Sequence, residues 1–295
     1  MPLEDKPKWI RVKIPSGPTY SRIRRVLRSK ALHTVCEEAL CPNVADCWGC
    51  GTVTIMLLGD VCTRSCRFCA VKVGKPMGLV DEDEPERVAA AVSELGLDYV
   101  VLTSVCRDDL QDGGARVFAE AVRAIRRAVP KARVEVLIPD FKGDRDAIEA
   151  VVRSRPDVIG HNLETVKRLT PIVRDRRAGY NLSLNVLKTV KELDGSILTK
   201  SSLMLGLGEV EHEVLEAMAD LRSVDVDILT LGQYLSPTKR HLPVAEYIPP
   251  ETFDRLRDLA LSLGFKGVAS APLVRSSYKA AELFQRVLKG DTYGG

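Results

Sequence analysis

The sequence predicts an α/β fold, a partial (β/α)6 barrel of the TIM type with an extension at each end, and three observations predict it. From Thr52 onward short apolar runs alternate with amphipathic stretches, the signature of β-α units repeated around a parallel sheet. The 295 residues are long for one ordinary domain, yet 45% of them are apolar, ample for a core, and single α/β barrels reach roughly 200–250 residues. The segments after the apolar runs are crowded with Cys, Asn, Asp, Glu and Gln. A barrel collects its active-site groups at these C-terminal strand ends.

The elements divide into three zones. Residues 1–50 carry Pro2, Pro7, Pro15 and Pro18, then a basic helical stretch and the first cysteines, and read as a strandless extension wrapped on the rest. Residues 51–264 supply the barrel, with strands expected at 52–58, 99–103, 134–138, 158–160, 201–205 and 228–231. Helices are expected at 84–95, 115–128, 145–154, 164–169, 182–193, 211–222 and 251–263. Val117, Ala121, Ile125 and Ala128 recur at helical spacing and give one buried stripe; Ile23, Val26, Leu27 and Ala31 do the same in the basic stretch. Right-handed crossovers curl six such units into an open barrel. Residues 265–295, with VASAPLVRSSYKA and one amphipathic helix, find no place in that count.

Forty-three basic residues against 40 acidic leave a net charge of only +3, which argues against a nucleic-acid backbone or an anionic membrane as the main partner. The apolar runs fall short of the ~18 residues a spanning helix needs, and MPLEDKPKWIRVK lacks the apolar core of a signal peptide, so a cytoplasmic protein is expected. Asn and Gln, four and three in all, are scarce, as in heat-adapted proteins.

Cysteine carries the chemistry. Seven of the eight, at 36, 41, 47, 50, 62, 66 and 69, fall within 34 residues, and the eighth is Cys106. A disulfide framework spreads over a small secreted chain, whereas so dense a cluster in an intracellular one reads as metal ligation or catalysis. Cys62, Cys66 and Cys69 form C-x3-C-x2-C with the aromatic Phe68 before the last thiol. Three thiolates on a short loop can hold three irons of a [4Fe-4S] cube and leave the fourth open. A structural zinc loop is the rival, but no matching pair of Cys or His follows Cys69. Cys36, Cys41 and Cys47 form a second triplet in CEEALCPNVADCW. Cys106 reads as a small buried hydrophobe, and Arg107, Asp108 and Asp109 as an internal ion-pair network.

Together with GTVTIMLLGDVCTRSCRFCAV, LTSVCRDDLQDGGA, HNLETVKRLTPIVRDRRAGY, LTKSSLMLGLGE, LTLGQYLSPTKRHLPV and LVRSSYKA, these groups cover residues 33–285. On them the sequence resembles the radical S-adenosylmethionine (SAM) superfamily and, within it, the lipoyl synthase family. The resemblance implies two [4Fe-4S] clusters. One, on Cys62, Cys66 and Cys69, would bind SAM at its open iron; the auxiliary one, on Cys36, Cys41, Cys47 and Ser277 of RSSY, would donate sulfur. An alkoxide is a poorer match for iron than a thiolate, so an iron on Ser277 is more easily lost. Cys50 stands where the family pattern suggests glycine and competes for that position; Ser202 likewise replaces an expected glycine.

The resemblance further implies sulfur insertion at C6 and C8 of a protein-bound octanoyl-lysine, with two SAM per lipoyl group. Expected partners are an octanoylated lipoyl carrier domain and a reduced ferredoxin- or flavodoxin-type electron donor. By position at the strand ends, Thr103, Ser104, Asn162, Glu164, Lys200, Gln233 and Tyr234 are the candidate SAM contacts, Lys200 for the carboxylate and Glu164 for the diol or ammonium. Arg275 is expected to clamp the serine loop or the substrate. His161 is equally a packing histidine and receives no role. An iron-sulfur electron carrier, a different class of protein, remains as an alternative, as does another sulfur-inserting radical SAM enzyme.

Overall fold

The structure, a computed structural model, describes residues 6–12, 14–49 and 51–290. The strands are β1 (His33–Thr34), β2 (Thr54–Leu57), β3 (Val61–Cys62), β4 (Lys72–Val73), β5 (Tyr99–Ser104), β6 (Arg133–Leu137), β7 (Val158–Gly160), β8 (Leu198–Leu205), β9 (Ile228–Gln233) and β10 (Gly267–Ser270). The helices are α1 (Pro18–Ser29), α2 (Val35–Glu38), α3 (Val44–Gly49), α4 (Glu84–Leu95), α5 (Ala115–Ala128), α6 (Arg145–Val152), α7 (Thr170–Val173), α8 (Tyr180–Leu193), α9 (Glu211–Ser223), α10 (Pro250–Ser262) and α11 (Ala280–Lys289). One sheet runs β1-β2-β5-β6-β7-β8-β9-β10; among the described residues its two ends are not paired with each other, so the barrel is open. All its ladders are parallel except that of β1, which lies antiparallel on β2.

Parallel strands are covered on both faces, and the residues divide accordingly. Val100, Leu102, Val134 and Val136 point outward into a core shared with Val88 and Val92 of α4 and Phe118, Val122 and Ile125 of α5. Tyr99 and Val101 point inward and meet Val158 and, from α11, Ala280 and Phe284. The Tyr99 and Phe284 rings lie 5.5 Å apart, so the last helix fills the barrel at the N-terminal ends of its strands. Above this apolar floor sits a charged pair: Lys200 Nζ donates to Glu135 at 2.8 Å, and the Tyr99 hydroxyl donates to the same carboxylate at 2.6 Å. Removing one partner would strand a buried charge at a cost of about 3–5 kcal/mol.

Element ends follow local chemistry. Asp144 caps α6 by accepting from the amides of Asp146 and Ala147, and Gly96, left-handed at φ 68°, ends α4.

Several expectations need correction. The N-terminal extension holds a strand, β1, and residues 267–270 form a seventh parallel strand, β10, in register with β9. The helix expected at 164–169 is absent: Glu164 takes a positive φ of 69° and bridges to Leu203 as a strand residue would, and the helix starts only at Thr170. Ala128 and Ala31 leave their stripes and are exposed, each at or beyond a helix end, Ala31 with φ 49°. Cys50 lies outside the described residues. Among the described residues no helix is long and apolar enough to cross a membrane.

Candidate functional site

The loop from β2 through the paired strands β3 and β4 carries Cys62, Cys66 and Cys69, all half-buried at the C-terminal strand ends. Backbone amides are aimed at two of the sulfurs: Arg64 N–H donates to Cys62 Sγ at 3.4 Å and Asp175 N–H to Cys66 Sγ at 3.3 Å. Burial pushes the Cys69 thiol up to about 12 and raises Cys66 as well. Cys62 is drawn down to about 6, first by a hydrogen bond from the Cys106 thiol. Thiols held protonated by burial become ligands when iron displaces the proton. Amides already directed at sulfur fit a cluster that accumulates negative charge on its ligands. Among the described residues no three His, Cys, Asp or Glu side chains stand close enough to share one metal ion. A cube that offers each thiol its own iron makes no such demand.

The three residues between Cys62 and Cys66 are tied to other strand ends. Arg64, buried, forms paired hydrogen bonds to Asp108 after β5 and to Asp140 after β6. The hydroxyl of Thr63 donates to Asp108 at 2.9 Å, and the amide of Ser65 to Asp175 at 2.9 Å. Arg107 pairs with Asp109 at 2.8 Å, so the RDD run is an internal network as expected, but it reaches across to the cysteine loop.

Beside this loop opens a cavity of about 460 Å³ lined by Cys62, Cys66, Phe68 and Cys69 and also by Cys41, Arg275 and Ser277. Thr103, Ser104, Cys106, Asn162, Glu164, Gln233 and Tyr234 also reach its wall. Lys200 does not: it is spent on Glu135 in the barrel floor, which removes it as a candidate contact to a ligand in the cavity. Four of the others have their polar atoms engaged within the protein. The Thr103 hydroxyl donates to Leu137 O, Ser104 to Val105 O and Tyr234 to Leu242 O. The amide of Gln233 fastens the 242–248 segment by donating to Glu246 O and accepting from Ile248 N–H, so it shapes the wall rather than offering a free group. Gly206 permits this, since a Cβ there would stand 2.2 Å from Gln233 Nε2.

Asn162 and Glu164 differ. Asn162 Nδ2 donates to Glu164 at 3.1 Å, but its Oδ1 is buried without a partner. Glu164 holds its left-handed backbone in place through two strand-type hydrogen bonds, its N–H to Ser202 O and its C=O from Met204 N–H. Burial raises its carboxyl, and the charge of Arg174 opposes that rise. Arg174 escaped the sequence reading because RDRR reads as a solvated charge run. It is buried at the cavity, donates to Ser183 Oγ at 2.8 Å and forms no ion pair with any carboxylate among the described residues. An orphaned amide oxygen, a buried carboxylate and a buried guanidinium that is in no direct ion pair fit a zwitterion bearing a diol better than an apolar ligand. His161 is a packing histidine: burial pushes it down to about 4, its Nδ1–H donates to Ile138 O, and its Nε2 accepts from Ser183.

The second triplet is held differently. Cys36 is buried in α2, Cys41 follows it, and Cys47 lies in α3. Burial pushes Cys36 up to about 12 and raises Cys41, with the Arg275 guanidinium pulling Cys41 back down. Asn43 Nδ2 donates to Leu273 O at 2.5 Å and so ties this segment to the loop of residues 271–279. That loop bears Arg275 and Ser277, and its Tyr278 senses Asp46 and Cys47. Arg275 is partly buried, makes its hydrogen bond to its neighbour Val274 O at 2.7 Å, and is lowered by burial. The loop rests on Gly232 so closely that a Cβ there would meet Val274 O at 1.9 Å. Cys41 and Ser277, though some 230 residues apart in sequence, are therefore brought to one cavity, with Cys36 and Cys47 on the short helices either side of Cys41.

Comparison with known proteins bears on the same residues. The family model for the Radical SAM superfamily matches residues 56–221, and that for the N-terminal domain of lipoyl synthase of the Radical SAM family matches residues 4–41. A lipoyl synthase of Thermus thermophilus is 58% identical over 95% of this chain and 87% of its own length. One of Pyrobaculum arsenaticum is 60% identical over 96% of each chain. Among solved structures, methylornithine synthase (PylB) superposes with a TM-score of 0.55 at 12% identity, covering 79% of this chain and 80% of its own. The [FeFe]-hydrogenase maturase HydG gives 0.58 at 13% identity, over 72% of this chain and 50% of its own. At such identities these two support the fold alone.

Proposed function

The chain belongs to the lipoyl synthase family of radical SAM enzymes, which insert sulfur, and from that premise we propose how its residues divide the work. A single observation carries the proposal: one cavity is lined both by Cys62, Cys66 and Cys69 and by Cys41 and Ser277. Cys62, Cys66 and Cys69 hold the [4Fe-4S] cluster that binds SAM; Cys36, Cys41 and Cys47, with Ser277 as fourth ligand, hold an auxiliary one. When bound, the two clusters supply, respectively, the electron that splits SAM into methionine and a 5′-deoxyadenosyl radical, and the sulfurs that replace hydrogen at C6 and C8 of an octanoyl-lysine.

Those carbons carry no acidifying group, so no acid or base in the chain could activate them. The residues instead position and exclude. Arg174 takes the carboxylate of SAM, and Glu164 with Asn162 takes its ribose or ammonium. Phe68, packed partly on the barrel core, narrows the wall between the cysteine loop and the cavity. Arg275, lacking a carboxylate partner among the described residues, balances the anionic auxiliary site beside Cys41. Two SAM are used per lipoyl group, one for each hydrogen removed. The substrate arrives on an octanoylated lipoyl carrier domain in the cytoplasm, and the electron from a reduced ferredoxin- or flavodoxin-type donor.

The test is anaerobic incubation of the iron- and sulfide-loaded protein with SAM, reductant and an octanoyl-lysine peptide. The expected products are 5′-deoxyadenosine and a dihydrolipoyl peptide seen by mass. An electron carrier would give no 5′-deoxyadenosine. SAM cleavage without sulfur in the peptide would overturn the assignment of the second triplet.

A further inference from the structure

The residues of the 62–69 loop that carry no thiol are more heavily bonded than those that do. Arg64 is 5% exposed, and its guanidinium is gripped twice: Nε and Nη2 donate to Asp108 at 2.9 and 2.8 Å, Nη1 and Nη2 to Asp140 at 2.5 and 2.7 Å. The Asp140 carboxylate is fully buried and that of Asp108 nearly so. Asp108 is shared further: Thr63 donates to it at 2.9 Å and Arg177 pairs with it at 3.1 Å. Arg177 also donates to Thr63 O at 2.6 Å and grips Asp175, the residue whose amide points at Cys66 Sγ and whose carboxylate takes Ser65. The cysteine loop is thus bolted to the ends of β5 and β6 and to the segment after α7 by the chain's own side chains.

We infer that Arg64, clamped by Asp108 and Asp140, is a positioning residue that holds this loop in its ligating shape before iron arrives and fixes the charge around the cluster it receives. The inference rests on the assignment of a cluster to Cys62, Cys66 and Cys69. The fork geometry accounts for the first part. A guanidinium can serve two carboxylates in one plane, so the ends of β5 and β6 and the backbone between Cys62 and Cys66 share one rigid joint. Charge accounts for the second. Three carboxylates, of Asp108, Asp140 and Asp175, meet two guanidiniums, of Arg64 and Arg177, and the Lys142 ammonium, which donates to Asp108 O at 2.9 Å, so the loss of one carboxylate leaves the surroundings of the loop one charge more positive. Net charge near a cluster is one of the terms that set its reduction potential, and negative charge lowers it.

Two substitutions separate geometry from charge. Asp140→Asn keeps the shape of the side chain but removes a negative charge; Arg64→Lys keeps the positive charge but loses the fork. Each should speed the loss of iron from the SAM-responsive cluster to a ferrous chelator such as bathophenanthroline by roughly 10- to 100-fold, the usual effect of removing a partner behind a metal ligand. In electron paramagnetic resonance titrations the midpoint potential should move positive in Asp140→Asn and stay in place in Arg64→Lys. The thermal midpoint of the metal-free protein serves as the folding control. Should Asp140→Asn fail to fold, Asp108→Asn, at a less buried carboxylate, carries the same test. Unchanged iron retention in both variants, or loss of iron in step with a general drop in thermal stability and no movement of potential, overturns the inference. If the unaltered protein shows no signal that responds to SAM, the assignment of the cluster itself fails, a different outcome.

Discussion

The two cysteine triplets are built on opposite plans. The 62–69 loop is fixed by side chains, through the Arg64 and Arg177 ion pairs and hydrogen bonds from Thr63 and Ser65. The 36–47 segment is fixed by short helical turns, the buried Cys36 and Trp48, and a hydrogen bond from Asn43 to a loop near the other end of the chain. One site belongs to a single rigid joint at the strand ends. The other is a seam between two distant stretches of sequence, closed on one side by residues 271–279. The contrast suits a cluster that must survive each turnover and one proposed to be dismantled in it.

The largest effects should come from emptying each triplet. With Cys62, Cys66 and Cys69 all changed to Ala, 5′-deoxyadenosine should fall to background while about four irons remain of about eight, as measured by chromatography and iron content. Retained cleavage would erase the distinction between the sites. With Cys36, Cys41 and Cys47 all changed to Ala, SAM cleavage should persist and the dihydrolipoyl peptide should vanish from the mass spectrum, leaving unreacted or desaturated octanoyl chains. Any dihydrolipoyl product would refute the sulfur-source role.

Finer changes sharpen the comparison. Ser277→Cys should bind the auxiliary iron more tightly and slow sulfur transfer several-fold, because a thiolate retains iron better than an alkoxide. Undiminished turnover would direct attention to Cys50 as fourth ligand. Gly232→Ala places a methyl group against Val274 O, and overpacking of this kind costs about 1–3 kcal/mol. It should lower the thermal midpoint modestly and impair sulfur insertion more than SAM cleavage, since only the 271–279 loop must move. Equal loss of both reactions would mean that the seam is not a separate unit. The smallest effect is expected at α1, where Arg24, Arg25 and Arg28 lie exposed while Ile23, Val26 and Leu27 are buried. Reversing the three arginines to Glu should raise KM for an intact octanoyl carrier at low salt and spare a short octanoyl peptide, as expected if charge steers an acidic carrier. Equal KM values for the two substrates would remove the docking role.

How much of this could be read from the sequence follows the same division. β7, α4, α5 and the barrel class were legible because hydrophobic period is a local signal. β10 was not, because its four residues, Gly-Val-Ala-Ser, carry no clear alternation of their own. The left-handed Glu164 was masked by a helix-like pattern after it. Arg174 sits in a run that reads as surface charge and Arg64 between two small polar residues, and only the fold shows that both are buried. Lys200 was misread for the converse reason: a lysine entering a barrel strand can be spent on a carboxylate two strands away.

The inward contact of Phe284 with Tyr99 has a consequence for the order of events during synthesis. Residues 267–289 supply the seventh parallel strand, the wall that faces the 36–47 segment, and the helix that fills the barrel from below. Both cysteine triplets leave the ribosome some 200 residues earlier. Domains commonly fold as they emerge, yet here the early cysteines must wait, reduced and unassembled, until this late segment joins the sheet. Iron delivery to the nascent chain before that point would meet six exposed thiols with no chamber around them, so the architecture favours loading after residues 267–289 have joined the sheet.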